Sequence, residues 1–436
     1  MNILYIGEAA TANFTSKAFK PLRNLKTMTI VAEMKDHTGK VYAHYDHQDD
    51  CRAFRWNARE SYEYMYDRPW EEVLKFYSHL AAGHLSLSSL TFNGAKKEHS
   101  VTCMRQTTLA ASCVDIHSES MNEEAKIGKW ARRTFKIHLS YDGSSFDGWQ
   151  KQPGLNTVQG LVEKTLGKFV DEKKAQEMEA KNGSVEATLS VAGRTDKGVS
   201  AFQQVCSFYT WRTDISPDDV ESKISTAAPG QLRVVRVSEV SRKFHPNFSA
   251  KWRRYLYMLP LKDGEGDQPS QNGVSPVDDF YLADRSNNQR MGTEGINMGS
   301  LNTSDIGKFQ AFVKPSNFNV DVVNQLLQQL EGKPLSYAIF ARDTQASRSR
   351  GPATECFMYH ARAAIATLPQ LDQDNSTQGR NVMCVELVAN RFLRKMVRVL
   401  VATAVREAAA GAAPDILLKL MEATCRRASA PPAAPA

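Results

Sequence analysis

The chain has 436 residues, of which 42% are hydrophobic and 24% charged, with a net charge of +7. That length leaves room for two or three domains, and the balance is that of a globular protein rather than a disordered, fibrous or membrane-buried one. The apolar stretches are too short to span a bilayer, and the start, Met-Asn-Ile-Leu-Tyr-Ile-Gly-Glu, lacks the features of a secretory leader.

The positive charge has the sign a polyanionic partner requires, although many proteins without such a partner are as basic. The seven cysteines are scattered and contain no Cys-x-x-Cys pair or zinc-ligand spacing. They predict reduced thiols in an intracellular protein, with neither a disulfide framework nor a structural metal. Nucleus, cytoplasm, plastid and mitochondrion all stay open.

Residues 1–27 carry one acid, Glu8, and four basic residues with several Ser and Thr. They fit an organelle transit peptide, or sequence upstream of a start at Met28. Residues 1–130 read as a polar N-terminal extension with one helix over 67–83. Asp67 suits its cap, Pro69 its first turn and Gly83 its exit, while Trp70, Val73, Leu74, Tyr77, Leu80 and Ala81 recur at helical spacing.

The pattern changes at 131. Arg132 to Tyr141 alternates as a half-buried strand, with Phe135, Ile137, Leu139 and Tyr141 on one face. Asp142-Gly143 follows as a turn, and a helix begins at Asn156 or Thr157. Residues 191–201 read Val-Ala-Gly-Arg-Thr-Asp-Lys-Gly-Val-Ser-Ala and place Asp196 between Arg194 and Lys197, with Gly193 and Gly198 flanking. A carboxylate among cations stays ionised and can act as nucleophile or base. On chemistry alone, a polar turn with a surface ion pair is the commoner explanation.

Tyr255, Tyr257 and Leu259 alternate as a strand. Residues 262–308 are polar and read as a disordered insertion, and Gln370 to Arg380 as a loop. A strand from Val382 to Ala389 leads into a helix that carries Phe392, Met396 and Val399 on one face and Arg391, Arg394 and Arg398 on a neighbouring one. Such a row suits phosphates or a buried carboxylate. The Ala-Pro-Pro-Ala-Ala-Pro-Ala end reads as a flexible tail over 426–436.

Arg-Thr-Asp-Lys-Gly-Val-Ser-Ala resembles the motif of the TruA family of RNA pseudouridine synthases in its eukaryotic form. Three further blocks agree in order: Tyr141-Asp142-Gly143 to Gly148-Trp149-Gln150, Phe244 to Tyr257, and Ala389 to Arg398. The resemblance covers about 133–425, apart from the insertion. It implies that Asp196 is the nucleophile, that Arg194 holds the extruded uridine, and that Tyr255 stacks on the base and takes part in a later proton transfer. It further implies that Arg398 pairs with Asp196, with Lys197, Arg254 and Arg394 as further substrate-binding cations.

The same resemblance implies an α/β fold of two pseudo-symmetric halves, 131–261 and 309–425. Each would carry a mainly antiparallel sheet with helices on one face, with an RNA cleft between them. The expected activity is isomerisation of uridine to pseudouridine in tRNA or other RNA, without a cofactor or membrane, in a family whose members are often homodimers. Three departures stand out. Pro246-Asn247 replaces the usual Ala-Arg, Leu335 to Arg350 keeps only a loose likeness, and the Gly-Leu strand that usually ends the family is missing after Ala436. A catalytically weak RNA-binding protein or tRNA chaperone of the same fold, and a scaffold that uses residues 1–130, are the competing readings.

Overall fold

Alternation builds the centre of the molecule. The computed structural model describes residues 2–7, 33–35, 41–43, 47, 49–92, 132–170, 172–181, 183–263, 265, 314–342, 354–371, 379–423 and 425–435. Its strands are β1 (Asn2–Gly7), β2 (Glu33–Lys35), β3 (Val41–Ala43), β4 (Thr91–Phe92), β5 (Arg133–Tyr141), β6 (Ser190–Val191), β7 (Ala201–Thr210), β8 (Leu232–Val240), β9 (Trp252–Pro260), β10 (Pro334–Ser336), β11 (Glu355–Thr367) and β12 (Asn381–Ala389). The helices are α1 (Ala58–Tyr66), α2 (Glu71–Ala82), α3 (Val158–Thr165), α4 (Glu172–Ala180), α5 (Pro217–Ser225), α6 (Pro246–Ser249), α7 (Val320–Gln328), α8 (Met396–Ala409) and α9 (Ile416–Met421).

The main sheet runs β10-β11-β12-β9-β1-β7-β5-β8, with β4 added to β11 and β6 to β7. Its pairings are antiparallel except for β1 on β7. The class is α/β, without a closed barrel. β1 pairs with β9 on one side and β7 on the other, so the strand order is continuous through the middle. β9, expected with the 131–261 half, lies beside β12.

One face of this sheet carries two apolar cores. Phe135, Ile137, Leu139 and Tyr141 of β5 pack with Val158 and Val162 of α3 and Val220 and Ile224 of α5. Tyr257 and Leu259 of β9 and Met383, Val385 and Leu387 of β12 pack with α7, α8 and α9. The period of two sends Leu256 and Met258 of β9, and Val382 and Cys384 of β12, to the opposite face. There they meet Val73, Phe76, Tyr77 and Leu80 of α2. α2, from the N-terminal extension, therefore covers the second face. Its C-terminal end also reaches the other half, where the Ala81 carbonyl accepts from Ser140 Oγ at 3.1 Å and Arg233 Nε at 3.3 Å.

The expected helix over 67–83 is α2, and Gly83 ends it at φ +85°. Its start differs: Asp67 caps the C-terminus of α1, and no side chain caps α2. α1 was missed because its buried positions, Ser61 and Met65, do not form a continuous apolar stripe. Asn57 and Glu60 make a capping box at its start, which is the local signal for it.

The expected transit segment is described only at 2–7, where the backbone forms β1. The insertion over 262–308, apart from 262, 263 and 265, and most of the 370–380 loop lie outside the described residues. Of the loosely matched Leu335 to Arg350 segment, residues 343–350 also lie outside them.

Two local expectations are corrected. Helix α8 begins at Met396, after Lys395 at φ +58°, so Arg391 and Arg394 precede the helix instead of lying along it. Of the 426–436 segment, expected as a flexible tail, the stretch 428–434 is seated against the core: Ala428, Ser429, Ala430, Ala433 and Ala434 are buried, and residue 436 lies outside the described residues. Ala430 N–H donates to Thr403 Oγ1 at 3.0 Å, and Arg342 donates to Ser429 Oγ at 2.7 Å.

Docking of α2 is tested by Phe76→Ala. Phe76 is fully buried, and its loss should lower unfolding stability by ~3–5 kcal/mol in urea denaturation. A loss below ~1 kcal/mol would contradict the packing on the second face.

Candidate active site

The Asp196 loop joins β6 to β7, so the sheet fixes both of its ends. Within it, the Val199 N–H donates to the Asp196 carbonyl at 3.1 Å, and Gly198 takes φ +81°. Only glycine adopts that geometry without strain, which fixes Gly198 at the turn. Gly148-Trp149 passes under the loop: Trp149 N–H donates to the Thr195 carbonyl at 3.1 Å. A Cβ on Gly148 would lie 3.1 Å from Thr195 O and Lys197 N. The Asp142–Gln150 block is thus a support for the Asp196 turn.

Beneath the loop, Gln204 Nε2 donates to the Gly193 carbonyl at 2.7 Å and to Tyr141 Oη at 3.4 Å. Tyr141 Oη and Thr195 Oγ1 share a hydrogen bond of 2.8 Å. Burial pushes the Tyr141 phenol up to about 12, so it stays a neutral hydrogen-bonding group.

Arg253 joins this loop to two other segments. Its Nε and one terminal nitrogen donate to the Ala192 carbonyl at 3.1 and 2.8 Å. The same nitrogen donates to Asn247 O and Oδ1 at 3.1 and 2.7 Å, and the other donates to Asn390 O at 2.7 Å. Arg253 is buried, and desolvation lowers its pKa. The guanidinium fork suits three carbonyl-bearing segments at once. Asn247 stands where the family pattern has Arg, and here its side-chain oxygen faces a cation.

The structure brings Asp196, Tyr255 and Arg394 together. Asp196 Oδ1 is 3.9 Å from Arg394 Nε, with the two side chains 33% and 53% exposed. Such a pair contributes at most ~1 kcal/mol to stability, so its interest lies in the charge it places near the carboxylate. Tyr255 sits against both cores and its ring meets Phe392 edge-on, with centroids 4.7 Å apart. Burial raises its phenol pKa, the neighbouring Tyr141 and Asp196 push the same way, and Arg253 opposes them.

Other expected residues are placed differently. Arg398 does not pair with Asp196. It is buried, and donates to the Ala433 carbonyl at 2.7 Å and Tyr66 Oη at 3.2 Å. Arg254 is buried on the opposite face of β9 and ion-pairs with Glu386, so its charge is engaged inside the sheet. Lys197 is exposed and pairs with Asp147 at 2.7 Å, which lowers the Asp147 pKa. Arg194 is exposed at the loop surface.

The 430–435 segment runs past this site. Ala433 N–H donates to the Arg398 carbonyl at 3.1 Å, and Tyr257 Oη donates to Ala434 O at 3.2 Å. Pro435 Cβ lies 3.4 Å from the position a Gly198 Cβ would take. Neither this contact nor the Tyr141–Gln204 chain follows from residue pattern alone. Arg253 was detectable, since it shares the Tyr255 face of β9 by the period of two.

Replacing Arg253 by Lys keeps the charge but cannot reproduce the fork. It should lower unfolding stability by ~2 kcal/mol or more in chemical denaturation. An unchanged stability would show that the three segments do not depend on this guanidinium.

Comparison with known proteins bears on this geometry. The chain is 37% identical over 128 residues to tRNA pseudouridine synthase A of Pelodictyon phaeoclathratiforme, which is 29% of this chain and 47% of that protein. It is 37% identical over 126 residues to the enzyme of the same name from Dictyoglomus thermophilum, 29% of this chain and 46% of that one. With the Solibacter usitatus protein of that name it shares 35% identity over 127 residues, 29% and 47% of the two chains. The chain spans about half the length of the curated relatives it matches. No family model matches it. Over that shared segment, the chain is similar to proteins of the TruA family of tRNA pseudouridine synthases.

Proposed function

We propose that the protein isomerises uridine to pseudouridine in tRNA, with Asp196 as nucleophile. The observation that carries this reading is the meeting of Asp196, Tyr255 and Arg394, from three separate stretches of sequence, at one place between the two cores.

The reaction exchanges one bond at the ribose for another. The C1′–N1 glycosidic bond breaks, the uracil turns, and C1′ joins C5. The C5 proton leaves to a base, and a proton is gained at N1, so atoms balance without an external reactant. A uridine within a helix is inaccessible to a side chain, so it must first leave its stack. Arg194 is exposed beside the carboxylate and supports the extruded geometry. Arg394 faces Asp196 and places a cation beside the carboxylate. Tyr255 offers a flat surface to the displaced base, and burial keeps its phenol neutral. Arg398 serves by holding the 433–434 segment beside the site rather than by pairing with Asp196. Exposed cations around the loop supply contacts to phosphates.

The test is tritium release from C5-tritiated uridine in tRNA transcripts. Wild type should release tritium, and Asp196→Ala should lose at least about a thousandfold in rate while RNA affinity stays within about threefold, since the carboxylate adds no attraction to a polyanion. Turnover by Asp196→Ala would overturn the assignment of the nucleophile. Tight RNA binding by a wild type that releases nothing would favour an RNA-binding protein of this fold.

A further inference from the structure

The strip between β8 and β9 combines an exposed aromatic ring with cations. Phe248 is 83% exposed, the most of any large hydrophobic side chain among the described residues. It sits on α6, whose Pro246 is buried and whose Asn247 is bonded twice to Arg253. The ring is therefore presented by an anchored turn. His245 lies beside it, with ring centroids 4.5 Å apart and planes inclined by 37°. Arg242, Lys243 and Lys251 flank it and are exposed, and no acidic residue occurs from 242 to 255.

Burying Phe248 against an apolar protein surface would also dehydrate three neighbouring cations. A single-stranded nucleic acid meets both needs, because a base offers a flat face and its phosphates offer negative charge. We propose that Phe248, with His245 behind it, is a stacking platform for an unpaired nucleobase, with Arg242, Lys243 and Lys251 on the adjoining phosphates. The inference rests on the proposed RNA activity and adds a contact outside the reacting centre. Arg253 bonds both Asn247, beside Phe248, and Ala192, four residues before Asp196. The platform is thereby indexed to the nucleophile loop, and the stacked base belongs to a nucleotide near the target uridine.

The experiment uses the full chain and a folded tRNA transcript with the target uridine in an unpaired loop. Phe248→Ala should raise Kd and KM by about 5- to 100-fold, and Phe248→Trp should restore both. Because no phosphate contact is lost, the dependence of log Kd on log salt should keep its slope in Phe248→Ala but flatten in Lys251→Ala. Tyr359→Ala, at an exposed aromatic on β11, is the control and should change neither constant. A Kd for Phe248→Ala equal to that of wild type would overturn the platform while leaving the isomerase reading intact. So would sedimentation showing that Phe248→Ala abolishes a wild-type dimer without altering RNA affinity. A wild type that binds RNA without isomerising it removes the proposed activity but leaves the Kd comparison decisive, and a wild type that binds no RNA overturns both.

Discussion

A buried guanidinium with no carboxylate partner among the described residues is the constraint on which the site depends. Arg253 donates to carbonyl groups in three segments: before the Asp196 loop, in α6 and before α8. An arginine cannot discharge itself by losing a proton, so once buried it must find acceptors. Here every acceptor is polar backbone or an amide oxygen, and they lie on three segments that meet around the candidate site. The requirement to satisfy one cation thus fixes three loops relative to one another. Asp196 meets Arg394 because Ala192 and Asn390 are held by the same group.

The sheet makes that constraint productive. β9 lies beside β12 and presents Arg253, Tyr255 and Tyr257 to one face and Arg254, Leu256 and Met258 to the other. On the first face the cores around α3 and α8 diverge, and Tyr255 touches both. On the second, α2 and the Arg254–Glu386 pair close the sheet from behind. A buried ion pair of this kind gives position more dependably than net stability. The 428–434 segment adds a further wall through Arg398, Thr403 and Tyr257.

Much of this was legible in the sequence wherever periodicity was strong. β5 and β9 follow from their alternation, and α2 from its stripe. The resemblance gave Asp196 and Tyr255, from two separate blocks, roles on one substrate, and the structure places them near each other. Errors arose where local geometry overrode periodicity. Arg391, Arg394 and Arg398 fit a helical face, but Lys395 adopts a left-handed conformation and the helix starts after it. That break frees Arg394 to face Asp196 and sends Arg398 to the chain end. The Pro- and Ala-rich end reads as a flexible tail, yet its small side chains fit between α8 and the β9 face. Arg254 was expected at the substrate, although its place next to Tyr255 on a strand already turned it away.

The proposed RNA-binding surface spans three segments distant in sequence. Hydrogen–deuterium exchange of the full chain with and without tRNA tests this most directly. Binding should slow exchange together in residues 193–200, 244–251 and 390–395, with little change in α2 on the opposite face. Protection confined to α2, or to one of the three segments alone, would contradict it.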